Sequence, residues 1–135
     1  MNRQLENLVR IGRLKTEKGN DREISGLIAS GLARLNDATN EKLNIESRFD
    51  LAYNAAHALS LAALRQAGYR AEHRYIVFQC LKHTTGLSDE HCRVLDQAHR
   101  KRNLAEYEGW LDMDSALLDA MIRAADSVAK RLPHK

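Results

Sequence analysis

Residues 99–107, His-Arg-Lys-Arg-Asn-Leu-Ala-Glu-Tyr, gather the side chains of this chain best suited to act on a phosphate. On a helix advancing ~100° per residue, Leu95, Ala98, Arg102, Ala105 and Gly109 share one face. Leu95 and Ala98 are ordinary core positions, and Arg102 takes the next interior place on that stripe. His99 and Glu106 stand one turn to either side of it, with Asn103 and Tyr107 on the flank of the same arc. A guanidinium aimed into a bundle is costly unless it is paired or faces a wet cleft. This is the one stretch where the sequence accepts that cost in a cluster. Arginine can neutralise a phosphate and histidine can move protons near neutral pH. Arg100 and Glu106 add binding groups. A buried arginine–glutamate pair that only fixes helix register would use the same residue types.

Other chemistries are thinly supported. His83, His91, Cys92 and His99 fall close together, but none has a recognised ligand spacing such as Cys-x-x-Cys or His-Glu-x-x-His, so no metal and no cofactor is expected. Cys92 points ~100° away from His91 on a helix, which rules out a local nucleophile–base pair. There is no glycine-rich phosphate loop. Gly26 and Gly31 lie inside a helical pattern and read as close-packing sites.

The elements that must position the cluster are helices. The 135 residues are 44% hydrophobic and 29% charged, with one proline, Pro133, near the end. Abundant Ala, Leu, Arg and Glu with so little proline predict an all-α fold, an up-and-down bundle of five to six helices in a single domain spanning 1–135. A first helix is expected over 2–15 and a second over 21–35 with Ile24, Leu27, Ile28 and Leu32 inward. A charged turn joins them, and a polar connector over 36–40 follows. A third helix, capped by Ser47 or Asn44 and stopped at Gly68, is so rich in alanine that it should be central. A fourth is expected over 71–83. A fifth, capped by Ser88, carries Arg102 to Gly109. The last, capped by Asp112 or Asp114, turns Leu117, Leu118, Met121, Ala124, Ala125 and Val128 inward.

The net charge of +3 is compatible with an anionic partner without requiring one. Residues 1–15 lack the apolar region of a secretory signal, and the most apolar run, 51–64, is broken by Asn54, His57 and Ser60. A cytoplasmic protein with Cys80 and Cys92 reduced is expected, with no membrane partner.

Arg102-Asn103-Leu-Ala-Glu-Tyr107 follows a helix reading Phe49-Asp-Leu-Ala-Tyr-Asn-Ala-Ala-His-Ala-Leu59 and closing at Gly68-Tyr69. This arrangement resembles the HEPN superfamily of small helical bundles, over a core of about 44–132 with the helices of 2–35 added. The family signature is an arginine, commonly followed by asparagine or aspartate, with a histidine four to six residues on. Arg102 and Asn103 match, and Tyr107 stands in the histidine's place. A second frame pairs Arg100 with Ala105 in the histidine's position and Tyr107 two residues on. The resemblance implies a homodimer in which two motifs build a metal-independent RNA-cleaving site. Tyrosine is a poor base, because only about one free phenol in a thousand is ionised at pH 7. His99, one turn before Arg102, could take its place.

The expected function is accordingly a weakly active or non-catalytic HEPN-like protein. It would bind RNA, a nucleotide or a nucleotidyltransferase-type partner in a toxin–antitoxin or defence-like system. Its site would comprise Arg102, Asn103, Tyr107 and His99 as catalytic candidates with Arg100 and Glu106 as binding residues. A metal-independent endoribonuclease and a helical interaction module without a nucleic-acid role are the alternatives.

Overall fold

Short polar side chains set where the longer helices begin. The computed structural model describes residues 2–109 and 114–132, with helices α1 (Arg3–Arg10), α2 (Asp21–Ala38), α3 (Ile45–Gln66), α4 (Arg74–Gln79), α5 (Leu81–Thr84), α6 (Asp89–Glu108) and α7 (Ser115–Arg131). Asn2, Asn20 and Asn44 precede the first three in extended backbone and accept first-turn amide hydrogens, as Ser88 and Asp114 do for α6 and α7. Asn44 rather than Ser47 therefore caps α3. Asp112, the other cap expected for the last helix, and Pro133 lie outside the described residues.

α3 is the central helix. One length of it buries Phe49, Ala52, Tyr53, Ala56, Leu59 and Ala63, and α2, α4 and α7 pack around it. The main core joins these residues to Leu95 and Ala98 of α6 and to the inward face of α7, whose six expected positions are all buried. Gly31 lets α2 approach α3: a Cβ there would come within 2.7 Å of the Leu59 side chain. Gly26 meets nothing within 4 Å, so it is not a packing site.

Several expectations are corrected. The first helix ends at Arg10, and the chain turns so that Lys15–Thr16 (β1) pairs antiparallel with Tyr69–Arg70 (β2), a small sheet that an all-helical reading does not foresee. The helix expected over 71–83 is two short pieces that meet at Cys80. α2 continues through the expected connector to Ala38. It buries Ile24, Gly31, Leu35 and Ala38, and Leu32 stays exposed. The helical period holds, but the buried arc is rotated because α3 meets α2 along Gly31.

Arg65, near the end of α3, is the most deeply buried charged side chain among the described residues, only 4% exposed. Its Nε donates to Glu23 at 2.9 Å and its Nη2 to Glu17 at 3.0 Å. Its Nη1 donates to the carbonyls of Tyr69 at 3.1 Å and Glu17 at 3.4 Å. This clasp ties the 15–23 segment, β2 and α3 together. The stretch around Arg102 is therefore not the only place where the chain buries a cation. A hollow of about 650 Å³ lies beside the clasp between α2 and the end of α3.

Candidate functional site

Where α3, α4 and α6 meet, the alanine-rich face of α3 gives way to Asp50, Tyr53, Asn54 and His57. These positions are spaced three and four apart, so they form one stripe. α6 brings His99, Arg102 and Asn103 to that stripe, and α4 brings Arg74, Tyr75 and Phe78.

His99 is held from both edges of its ring. Nδ1 lies 2.9 Å from the Tyr53 hydroxyl and Nε2 lies 3.2 Å from Asn103 Nδ2. With the Asn103 amide donating, Nε2 accepts, so the ring proton sits on Nδ1 and points to the Tyr53 oxygen. Tyr75 stacks against the imidazole at 5.5 Å and 30°, Tyr53 at 6.3 Å and 17°, and Phe78 meets it edge-on at 6.1 Å. Burial lowers the His99 pKa and Arg74 adds to that, while Asp96 and Glu106 oppose it. The net result is a neutral imidazole at pH 7, the form that accepts a proton.

Arg102 is half-buried, 29% exposed, and pairs with Asp50. Its guanidinium also lies 4.8 Å from the centre of the Tyr53 ring, a cation–π distance. Arg74 is 5.6 Å from the same ring and donates to Asn54 at 3.3 Å, with no carboxylate among its partners in the described residues. Burial raises the Tyr53 phenol pKa, against Arg74 and Arg102. His57 is driven furthest. Burial first, then Arg74 and His99, push it down to about 4, so it is neutral beside Phe78.

Two hollows lie beside the cluster, one at Asp50 and Arg102 and the other at Tyr75 and Phe78. One, about 250 Å³, is lined by Phe49, Asp50, Arg102, Ala105 and Glu106. The other, about 510 Å³, lies between α4 and α6.

The nominated residues divide into three groups. His99, Arg102 and Asn103 come together, and Glu106 is exposed at the rim of the smaller hollow. Arg100 is exposed and pairs with Asp96 at 3.1 Å, outside the cluster. Tyr107 is 92% exposed and is removed from the cleft. Five helical residues carry it ~140° from Arg102, too far round α6 to share its face. The arginine's partner is Asp50 of α3, not a glutamate of its own helix.

Sequence reasoning overlooked Asp50, Arg74 and Tyr75 and assigned Tyr53 to the core alone. Asn54 and His57 were visible as polar interruptions of an apolar helix, which was the available signal. Arg74 carried none. Among the described residues no group of three or more His, Cys, Asp or Glu side chains could hold a metal ion, and no helix is long and apolar enough to cross a membrane. Cys80 and Cys92 are free thiols, and burial pushes the Cys80 pKa up to about 11. No protein-family model matches the chain, and no curated protein or solved structure shows significant similarity to it.

Proposed function

We propose that this protein is a HEPN-like helical bundle that binds RNA or a nucleotide through its α3/α4/α6 cleft, and that His99 rather than Tyr107 is its proton-transfer residue. The observation that carries this reading is the His99 imidazole held between Tyr53 and Asn103, in a cluster with the Arg102 and Arg74 guanidiniums. A phosphate on the two arginines would lie near a base whose Nε2 lone pair accepts the Asn103 amide hydrogen, a single bond that a substrate hydroxyl would have to displace. That arrangement suits attack of a ribose 2′-hydroxyl on the adjacent phosphate without a metal, with the arginines stabilising the developing charge.

Weak activity follows from two features. Asp50 already occupies Arg102, so a phosphate must compete with a carboxylate. The imidazole is also sheltered by aromatic rings. The setting that fits is a cytoplasmic toxin–antitoxin or defence-like system in which the cleft binds RNA, a nucleotide or a nucleotidyltransferase-type partner.

A homodimer along α6 belongs to the same reading. Leu104 and Tyr107, three residues apart on that helix, are large apolar side chains left exposed. Their face is suited to the second copy that the HEPN resemblance implies, and Leu104→Glu should yield monomers by light scattering.

Incubation of the pure protein with single-stranded RNA in excess chelator tests the function. Binding at low salt and slow cleavage to 2′,3′-cyclic phosphate ends are expected, with cleavage abolished in His99→Ala and binding in the Arg74→Ala, Arg102→Ala double variant. If neither RNA nor nucleotides bind at low salt, the interaction-module reading replaces this one.

A further inference from the structure

Beyond His99, the slot of about 510 Å³ between α4 and α6 is lined by Tyr75, Phe78, Gln79, Lys82, Cys92 and Asp96, among others. Its volume lies in the range of small-molecule sites. Tyr75 belongs to both the slot and the cleft. Its ring stacks against His99, and it remains 38% exposed, so part of the ring is open to a ligand. Phe78, edge-on to Tyr53 at 5.7 Å, forms an apolar floor. The rim is polar: Lys82 pairs with Asp89 at 2.9 Å, and Gln79 and Asp96 supply an amide and a carboxylate. An aromatic platform over an apolar floor, with polar groups at the edge and two arginines one side chain away, suits a flat heteroaromatic ring joined to a phosphate.

We propose that this slot receives the base of a single-stranded ribonucleotide whose phosphate lies on Arg74 and Arg102, with Tyr75 as its stacking surface. The proposal rests on the phosphate reading of the cleft and adds the place of the base, which must be unpaired to enter. A base held in a duplex is stacked on both faces and cannot enter the slot.

Fluorescence anisotropy on the full chain at low salt would compare a short labelled single-stranded RNA with an abasic ribose-phosphate strand of equal length and charge. The base-bearing strand should bind more tightly, and Tyr75→Ala should weaken it by about 5- to 150-fold, the usual worth of one base on an aromatic ring. Tyr75→Phe should keep the affinity, because stacking needs the ring and not the hydroxyl. Gln79→Trp, which fills the slot from its rim, should weaken the base-bearing strand as well. Neither Tyr75→Ala nor Gln79→Trp should change binding of the abasic strand. Equal affinity of wild type for the two strands, or equal loss on both in Tyr75→Ala, would overturn the base slot and leave the phosphate site standing. If wild type binds neither strand, the phosphate reading itself fails and the slot fails with it.

Discussion

Arg65 and Arg102 both sit on stripes that face the protein interior, and their surroundings make them different devices. Arg65 has four acceptors from two segments of chain, and little of it reaches solvent. Arg102 has one carboxylate, which is itself more than half exposed, and the face of an aromatic ring. A guanidinium presents five N–H donors in a fixed fork. At Arg65 the fold uses most of them, so that site holds the chain together and has little left to offer a ligand. At Arg102 donors remain, a small hollow opens alongside, and Arg74 stands nearby with no carboxylate among its partners in the described residues. Burial alone would have ranked Arg65 first, whereas the count of acceptors leaves Arg102 the one with donors to spare for a ligand.

The largest test of this contrast is stability. Arg65→Ala strands two carboxylates and two carbonyls that remain partly wet, and should cost on the order of 2–4 kcal/mol in urea unfolding followed by circular dichroism. Arg102→Ala should cost less than about 1 kcal/mol, as exposed pairs do. Equal losses would erase the distinction.

The burial of His57, reinforced by Arg74 and His99, gives the next effect. His57 is held at about 4 in the folded protein against an ordinary value of 6.5, so between those limits only the unfolded chain takes up the proton. Its contribution is complete above pH 6.5 and is lost as pH falls through 4, by roughly 3 kcal/mol at most. His57→Phe should flatten that acid limb of stability measured against pH. An unchanged slope would place the acid sensitivity elsewhere.

A smaller effect separates the two arginines by ligand. Inorganic phosphate should raise the wild-type melting temperature by a few degrees, since a ligand of the native state stabilises it. Arg102→Ala should lose that response. Asp50→Asn, which frees the arginine, should strengthen phosphate binding by about 5-fold, the equivalent of ~1 kcal/mol. The same rise in Arg102→Ala would assign the anion to another surface.

The smallest expected effect is at Tyr107. Placed in solvent, Tyr107→His should change stability by less than about 0.5 kcal/mol and leave cleavage of RNA unimproved. A clear gain in rate would restore Tyr107 to the site, supplied across a dimer.

Much of the helical organisation was legible in the chain. The face of α7 and the cap at Ser88 follow from local pattern, because a helix's period and its first-turn amides involve residues only a few positions apart. Arg102 and His99 were legible for the same reason, as polar side chains on an apolar period. The family spacing points to Tyr107, while five helical residues set it ~140° round α6 from Arg102 and in solvent.

The sequence by itself determined that this protein is helical, which helix is central, and that one turn of α6 brings histidine, arginine and asparagine together. Only the tertiary structure decided what those residues meet. Asp50 and Tyr53 lie about fifty positions before Arg102, Arg74 comes from a short helix broken at Cys80, and the Glu17–Arg65 contact spans 48 positions. No local period encodes such partnerships. They depend on how far one helix is rotated against the next, which the packing of many side chains sets together, as Gly31 against Leu59 does for α2 and α3.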